Sequence, residues 1–403
     1  MRLAIELYGQ RIGTLEGDAR TFDVTVVAEA IEHFGMNSTV LSVAIPLSPK
    51  LRRDHASRRR NWFAELLPEG DQYEFMLAQS GLRAGDTLGF LAHYGRDIAG
   101  AVQLWNLDDP TEPRTPELRA VNDVQIRELL SSPMATPLAN APREGRTSLG
   151  GVQPKIVLVR TTTGWAQALG GWPSTHILKP ELQNARAHII YDEEYGSRLA
   201  REVGLAAFDT RIETFDGQRA LVIERFDRAD GVRIHQEDFS QALGASRIEK
   251  YQEFGGVTSL ARVARVLATH TSASELRRFA RMVVFGMVIN NLDMHSKNIG
   301  LLHHESGEVT LAPAYDNVPF VRGEAGGSDD RLALAVNGSY ESDAVTRGDL
   351  VAEISSWGVA RVEPLVDDML DSVRAAVESL SPAQDAHPQM LDTIGYRLRQ
   401  LTR

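Results

Sequence analysis

The residues best suited to chemistry lie in one polar loop in the last third of the chain. Asp293 is followed five residues later by Asn298. In phosphoryl transfer, a loop with this spacing supplies an aspartate that accepts a hydroxyl proton and an asparagine that binds Mg²⁺. A second carboxylate, Asp316, follows the next apolar stretch and would be a further Mg²⁺ ligand. Asp and Asn also bond their own backbone in loops, so the spacing alone has an ordinary structural interpretation.

Apolar segments on both sides of this loop predict the elements that must position it. Apolar residues recur at helical spacing over 276–287 and stop at the polar residue Asn290, which predicts a helix that ends there. The short apolar run 299–302 leaves the loop and predicts a buried strand. A loop held in this way can keep a hydroxyl in line with a triphosphate, which is most of what phosphoryl transfer needs from a protein.

Two further segments could bind phosphate. Gly150 and Gly151 lie in a polar loop ahead of a predicted strand, where backbone N–H groups could approach a phosphate closely. Lys179 ends a short apolar run, and a lysine there could pair with α- and β-phosphates. Glu194, near the start of the next predicted helix, is the acid best placed to orient it. The alternative for the glycine loop is an ordinary turn with basic neighbours. The alternative for Glu194 is an acidic first helical turn that offsets the helix dipole.

The first hundred residues predict a small β-containing domain. Alternating apolar residues in 1–20 predict a β-hairpin, and 41–45 would continue its sheet. The aromatic stretch 61–67 has helical spacing and is expected in the core. Residues 50–60 are strongly basic and form either a solvated loop or a contact for phosphates or an acidic partner. The acidic, proline-containing stretch 106–116 is the clearest linker, and we expect a domain boundary there.

The order of the remaining elements indicates an α+β protein of two lobes. Strands are predicted at 156–159, 175–179 and 220–224, and mostly helical sequence follows to 292 and again from 349. The strand at 220–224 runs into polar residues. This pattern is typical of a hinge between lobes, where exposed backbone groups could meet adenine.

Composition excludes several classes of function. The 403 residues include 43% hydrophobic and 24% charged residues, as in an ordinary globular protein. The net charge of −11 gives no global field that would attract nucleic acid. The absence of cysteine excludes disulfides and thiolate chemistry and suits a reducing cytosol. No signal peptide or membrane span is apparent in the sequence, so we expect a cytoplasmic protein without membrane contact.

Taken together and in order, these segments resemble the HipA family of bacterial toxin kinases. The matching segments cover nearly the whole chain: 61–68, 95–104 (GRDIAGAVQL), 148–155, 175–180 (THILKP), 223–228 (IERFDR), 235–244 (HQEDFSQALG), 293–298 and 315–316. The resemblance implies an N-terminal subdomain at 1–108, a kinase N-lobe at 109–230 and a mainly helical C-lobe at 231–403. The implied fold is therefore α+β with a two-lobed kinase-like core.

The resemblance also implies an activity. Such proteins are serine/threonine protein kinases that use ATP and Mg²⁺ and act as the toxin of a toxin–antitoxin module. Their partner is a HipB-like helix-turn-helix antitoxin, through which they meet operator DNA indirectly. Targets in the family include aminoacyl-tRNA synthetases, so that phosphorylation arrests growth.

Carried over to this sequence, the resemblance assigns a role to each motif residue. Asp293 matches the catalytic base, Asn298 and Asp316 the Mg²⁺ ligands, and Ser148 an autophosphorylated serine, with Thr147 beside it as the alternative. The residues expected to bind ATP are Ser148, Gly150, Gly151, Val152, Gln153, Lys155, Lys179, Glu224, Phe226, Gln236, His295, Lys297 and Tyr315.

Two rival functions remain open at this stage. The first is a small-molecule kinase on the same kind of core, in which the base and the metal ligands would have the same roles. The second is a catalytically silent subunit that only stabilises a DNA-bound antitoxin. Retention of Asp293, Asn298, Asp316 and Lys179 together argues against the second.

Overall fold

The computed structural model describes residues 1–131, 153–229, 231–323 and 330–403. The chain divides into two compact units that do not follow chain order. The first comprises Met1–Pro180, Glu213–Glu237 and Leu302–Val309. The second comprises Glu181–Ile212, Asp238–Leu301 and Thr310–Arg403.

The first unit begins with an antiparallel four-stranded sheet of order β3–β2–β1–β4. Its strands are β1 (Arg2–Leu7), β2 (Gln10–Gly17), β3 (Phe22–Val26) and β4 (Gln103–Asn106). The predicted N-terminal hairpin is thus confirmed. It turns at Tyr8 and Gly9, which both have positive φ, and buries Leu3, Ile5 and Leu7.

The prediction of a strand at 41–45 is wrong. These residues form turns and bends, and their backbone groups bond to buried side chains instead of to a neighbouring strand. The Leu41 carbonyl accepts a hydrogen bond from His235, and the Val43 N–H donates to Glu237. β3, which the sequence analysis did not predict, occupies the edge of the sheet beside β2.

Helices α1 (Ala28–Phe34), α2 (Ala56–Ala64) and α4 (Thr87–Tyr94) of this unit pack on the sheet, and α3 (Gly70–Ser80) packs on α4. The basic stretch 50–60 is not the loop that was considered, because it forms a 3₁₀ turn (Arg53–His55) and much of α2. Arg59 is buried against Asp23, with Nε 2.6 Å from Oδ1. The predicted aromatic core is confirmed, since Trp62 and Phe63 are fully buried.

A six-stranded sheet follows, in the order β5–β7–β6–β8–β10–β9. Its strands are β5 (Glu117–Val121), β6 (Ile156–Thr161), β7 (Gly164–Leu169), β8 (His176–Pro180), β9 (Thr210–Phe215) and β10 (Gln218–Glu224). Helix α5 (Asp123–Ser131) packs against β8 and β10. The strands predicted at 156–159, 175–179 and 220–224 are therefore confirmed.

Short strands follow the large sheet. β11 (Arg228–Ala229) pairs with β12 (Val232–Arg233). β13 (His235–Asp238), β14 (Gly300–His303) and β15 (Val309–Leu311) form a three-stranded sheet of that order. β14 is the buried strand predicted after the polar loop.

The second unit is mainly helical, as the C-terminal sequence predicted. Its helices are α6 (Ile189–Glu202), α7 (Phe239–Leu243), α8 (Leu260–His270), α9 (Ala273–Val288), α10 (Arg347–Ser355), α11 (Val362–Ser379) and α12 (Met390–Leu401). An unpredicted hairpin, β16 (Arg331–Val336) with β17 (Ser339–Glu341), accompanies them. Within the described ranges, no helix is long and apolar enough to cross a membrane.

Helix α9 is the central element of this unit and ends where the sequence predicted. It packs against α8, α11 and α12, and its apolar face, which includes Phe279 and Val283, is buried. Asn290 has a φ of 56°, a left-handed conformation that commonly follows a helix end. The fully buried Arg397 donates to the Met287 carbonyl in the last turn, where a cation is favoured by the helix dipole.

Candidate active site

The polar loop after α9 is closed by hydrogen bonds from its own residues. The Asn298 side-chain amide donates from Nδ2 to the Asp293 carbonyl at 2.9 Å, and the His295 N–H donates to the same carbonyl at 2.7 Å. A 3₁₀ turn, Ser296–Asn298, completes the loop. Because Nδ2 is used in this way, the atom that Asn298 can offer to a metal is its amide oxygen, a ligand of the kind Mg²⁺ prefers.

The Asp293 carboxylate is partly exposed at the head of this loop, with 46% of its side chain accessible. The Tyr251 hydroxyl donates to its Oδ1 at 3.3 Å. His295, which is itself buried, has its Nε2 3.8 Å from the same oxygen. Asp293 is therefore both oriented by neighbours and accessible, as a base that meets a substrate hydroxyl must be.

Asn291 joins the two acid-bearing segments. Its Oδ1 accepts the Asp293 N–H at 3.3 Å, while its Nδ2 donates to the Asp316 carbonyl at 3.4 Å. The adjacent Asn290 donates to the Phe320 carbonyl at 2.9 Å. The sequence analysis treated these asparagines only as the end of a helix. Two adjacent amide side chains directly before the polar loop were the signal that could have revealed this bridging role.

Asp316 is held in a strained backbone conformation. Its φ of 55° is in the left-handed region, which costs a non-glycine residue free energy and often marks functional sites. The next residue packs closely on α6, since a Cβ at Gly196 would lie 2.0 Å from the Asn317 carbonyl oxygen. The position of Asp316 is therefore fixed from both sides, by Asn291 and by the packing of Asn317.

Lys297 and Tyr315 form a second connection within this unit. The Tyr315 hydroxyl donates to the Lys297 carbonyl at 2.8 Å, and burial raises the pKa of Tyr315 well above its usual value. The Lys297 ammonium lies 3.5 Å from Asp238, which also caps α7 by accepting the Gln241 N–H. The structure thus brings together Asp293, His295, Lys297, Asn298, Tyr315 and Asp316 in the second unit.

The predicted phosphate-binding lysines lie in the first unit. Lys179 is on β8, and Lys155 directly precedes β6, which is the next strand. Ile156 pairs with Leu178 in antiparallel register, so Lys155 and Lys179 each lie one residue beyond this pair. Both are buried, at 7% and 6% exposure.

Two glutamines predicted to contact nucleotide carry buried polar atoms that lack a partner. Among the described residues, Gln153 Nε2 and Gln236 Oε1 form no hydrogen bond. Buried polar groups are nearly always paired, so such atoms require an explanation, and a bound polar ligand supplies one. Of the Gly-rich segment, Ser148, Gly150, Gly151 and Val152 lie outside the described residues.

The two residues predicted to contact adenine lie at the end of β10 in the large sheet and just after it. Glu224 is the exposed last residue of β10, and Phe226 lies half-buried in the turn that follows. Glu194 differs from the expectation that it orients Lys179, because its carboxylate pairs with Arg198 at 2.8 Å. An arginine one turn further along α6 explains this, since residues four apart on a helix are neighbours. Glu193, which precedes it, is the more deeply buried acid of the two.

A buried ion-pair network in the first unit explains two motifs whose function the sequence left open. Arg225 Nη2 lies 2.8 Å from Asp227 Oδ2, and Arg228 Nη2 lies 3.0 Å from Asp97 Oδ1. The Gly100 N–H donates to Asp227 at 2.7 Å. Burial opposes the ionisation of Asp227, but the two arginines outweigh it and hold its pKa well below the usual value. The segments 95–104 and 223–228 are therefore joined directly.

Glu237 is the centre of a second buried network that the sequence analysis missed. Its carboxylate accepts from Ser42 Oγ (2.6 Å), the Val43 N–H (2.9 Å), Trp62 Nε1 (2.8 Å) and His303 Nε2 (2.9 Å). Burial opposes its ionisation, but the hydrogen bond from His303 and the other donors hold its pKa below the usual value. The network therefore fixes the position of Glu237, whose neighbours in the chain are Gln236 and Asp238. The four residues of β13 (HQED) are all polar, so no apolar pattern indicated that Glu237 is buried.

The protein has a protein-kinase-like α+β fold. Its six-stranded sheet carries two lysines, and the segment from α9 through the loop to β14 carries an acid and an asparagine, with a second acid at Asp316. A family model described as the HipA N-terminal domain matches residues 3–105, and one described as the HipA-like C-terminal domain matches residues 147–380. The chain belongs to the HipA family.

Relatives of known name agree with this assignment. The "Serine/threonine-protein kinase toxin HipA" of Shewanella oneidensis is 26% identical over 381 residues, which are 89% of this chain and 84% of that protein. The "Putative kinase Y4mE" of Sinorhizobium fredii is 34% identical over 292 residues, 68% of each chain. The solved complex of Shewanella oneidensis HipA with HipB and its operator DNA contains a chain with the same fold. Its TM-score is 0.77 at 24% identity, and the match covers 99% of this chain and 95% of that one.

Proposed function

We propose that this protein is an ATP-dependent serine/threonine protein kinase that acts as the toxin of a HipA/HipB-like toxin–antitoxin module. The observation that carries the proposal is the closed loop after α9. Its asparagine amide holds the Asp293 backbone, while the carboxylate of Asp293 stays accessible. A loop of this geometry is suited to accept a proton from a hydroxyl that approaches from solvent.

In this proposal each residue of the second unit has a defined role. Asp293 accepts the proton of the acceptor hydroxyl. The amide oxygen of Asn298 and the carboxylate of Asp316 would hold Mg²⁺, and their all-oxygen donor set fits that ion. When bound, Mg²⁺ neutralises charge on the phosphate oxygens. Asn291 keeps the two metal-binding segments in fixed register by its hydrogen bonds to Asp293 and Asp316.

The first unit would supply most of the nucleotide contacts. Lys179 on β8 and Lys155 just ahead of β6 would place fixed cations on the phosphates. Gln153 and Gln236 each have a buried polar atom available to a nucleotide. Glu224 and Phe226 would contact adenine, as the resemblance implies. We also propose His295, Lys297 and Tyr315, which lie in the second unit, as nucleotide-binding residues.

We further propose that Ser148 is autophosphorylated and that this inactivates the kinase. A phosphate adds about −1.5 to −2 charges, which would repel bound ATP and could pair with Arg143 or Arg146 outside the pocket. These residues lie outside the described part of the chain. Phosphosite mapping by mass spectrometry, with Asp293→Asn as the inactive control, tests this proposal. Phosphate found only elsewhere, or on Ser148 with undiminished activity, would contradict it, and phosphate on Thr147 would move the site by one residue.

We propose a HipB-like antitoxin as partner, which would bring the protein to operator DNA in the cytoplasm. The target would be a translation-related protein such as an aminoacyl-tRNA synthetase. A gel shift of operator DNA with antitoxin, with and without this chain, tests the partner. Phosphoproteomics after brief induction of wild type or Asp293→Asn identifies the target. We also propose the division into 1–108, 109–230 and 231–403 as functional domains.

The decisive experiment on substrate class compares two sets of acceptors. Purified protein is incubated with labelled ATP and either a cell lysate or candidate small molecules such as aminoglycosides. A labelled protein band that is absent with Asp293→Asn is the expected result. Label on a small molecule with no labelled protein would instead assign the protein to the small-molecule kinases.

A further inference from the structure

The segment that contains Tyr251 and the loop that begins at Asp293 are both hydrogen-bonded to strand β16. Residues Arg247–Lys250 form a 3₁₀ turn capped by Ser246 and Glu249. After it, the Gln252 N–H donates to the Ala333 carbonyl at 3.0 Å, and its Oε1 accepts the Ala335 N–H at 3.0 Å. The Ala333 N–H in turn donates to the carbonyl of Leu292, which directly precedes Asp293. Strand β16 therefore holds this segment and the predicted base in one register.

Tyr251 connects the segment to Asp293. Its hydroxyl donates to Asp293 Oδ1 at 3.3 Å. Its ring lies 5.3 Å from the His295 ring in an edge-to-face arrangement, and the Lys250 ammonium lies 5.3 Å from its centroid. The tyrosine is thus oriented from several sides, and a group that contacts its outer face would lie next to the base.

The same segment presents apolar side chains to solvent. Phe254 is 46% exposed, and its ring meets that of Tyr251 edge-to-face at 6.4 Å. Ile248, three residues before Tyr251, is 57% exposed. A single exposed apolar residue needs no explanation. Phe254 is more informative, because its ring contacts a tyrosine whose hydroxyl is bonded to the carboxylate of Asp293.

The distances limit what can bind there. From the Tyr251 hydroxyl contact and the ring separation, the Phe254 ring lies within roughly 12–13 Å of the Asp293 carboxylate, a span of about four residues of extended peptide. Alternate side chains of an extended peptide point to the same side. A peptide whose acceptor hydroxyl meets Asp293 can therefore also lay a nearby side chain on Phe254.

We propose that Tyr251 and Phe254 form a docking ledge for the protein substrate of this kinase. The occupant is the substrate's acceptor segment, which carries an apolar side chain within about four residues of the serine or threonine that receives phosphate. The aromatic rings bind that side chain, and the Tyr251 hydroxyl is a positioning group that orients Asp293. This inference rests on the proposed kinase function and adds to it the class of substrate.

The test uses the full-length protein and a library of peptides with a central serine. One flanking position at a time carries Leu or Asp, over four residues on each side. We expect wild type to prefer Leu at one or two positions by about tenfold in kcat/KM, the scale for one apolar contact in a binding site. Phe254→Ala should remove that preference by raising KM. Tyr251→Phe keeps the ring and should retain the preference while kcat falls.

A matched control is Leu391→Ala, which removes another exposed apolar side chain (40% exposed) on α12 and should leave the preference unchanged. Thermal melting of each variant verifies folding. Transfer by wild type with no peptide preference, or a preference that survives in Phe254→Ala, would overturn the ledge alone. No transfer by wild type to any peptide or lysate protein would overturn the kinase function and the ledge with it. A wild-type dimer in light scattering that becomes a monomer in Phe254→Ala, with transfer unchanged, would assign the surface to a second copy and overturn the proposal.

Discussion

The buried histidine beside the Glu237 network should make the stability of the protein depend on pH. His235 is fully buried. Its Nε2 donates to the Leu41 carbonyl at 2.7 Å, and its Nδ1 accepts the Ala101 N–H at 3.4 Å. These bonds fit only the neutral ring, because a proton on Nδ1 would face an N–H donor. Burial, aided by the nearby His303, lowers the pKa of His235 to about 3.

The magnitude follows from linkage. In the unfolded chain His235 takes up a proton near its ordinary pKa of about 6.5, whereas the folded state does not. Between about pH 6.5 and pH 3 the unfolded state therefore binds more protons, and stability falls by about 1.4 kcal/mol per pH unit as pH decreases. The full loss would approach about 4–5 kcal/mol near pH 3.

Urea unfolding of wild type and His235→Gln between about pH 6.5 and 5 measures this slope. The lowered pKa values of Asp227 and Glu237 act only at more acidic pH, where carboxylates of the unfolded chain begin to protonate. The glutamine can still donate to the Leu41 carbonyl but does not titrate. We expect the free energy of unfolding of wild type to decline more steeply than that of the variant, by a difference in slope that approaches about 1.4 kcal/mol per pH unit toward pH 5. Equal slopes would refute the neutral, buried state of His235.

Three further predictions concern the proposed active site and its surroundings. Lys179→Ala should raise the ATP requirement and lower turnover by about 10²-fold, because a fixed cation opposite the phosphates is lost; an unchanged ATP titration by calorimetry would contradict its role. Asp316→Asn should weaken Mg²⁺-dependent ATP binding and turnover together, and normal Mg²⁺ dependence in a kinetic titration would exclude it as a ligand. Replacing Arg58 and Arg60 with Glu, while leaving the buried Arg59 intact, should weaken the antitoxin–operator complex more at low salt than at high salt; equal affinity across a salt series would show that these two arginines are only solvated.

The local parts of the site could be predicted from the sequence because their geometry depends on neighbouring residues. Helix α9 ends a few residues before Asp293, and β14 begins shortly after Asn298. Apolar periodicity predicts both of these flanking elements, and the closed loop lies between them. The spacing of the two residues then nearly determines that the asparagine side chain can reach the aspartate backbone. Strand β8 with Lys179 was predictable for the same reason.

The parts that were not predicted depend on residues far apart in the chain. Glu237 meets His303 across 66 positions and Trp62 across 175, and no local pattern indicates such partners. The strand expected at 41–45 failed because its backbone groups bond to that distant network. Arg59 looked like part of a solvated basic loop, but its partner Asp23 lies on a strand that the sequence did not reveal.

The central claim is that Asp293 is the base of a phosphoryl-transfer reaction from ATP to a protein hydroxyl. The most direct measurement is transfer of label from γ-labelled ATP to protein, compared between wild type and Asp293→Asn, together with calorimetric binding of Mg²⁺-ATP to both. We predict that the variant binds nucleotide like wild type and keeps its fold, while the rate of transfer falls by about 10²–10⁴-fold, since an amide cannot accept the proton. Transfer by Asp293→Asn at the wild-type rate would contradict the account.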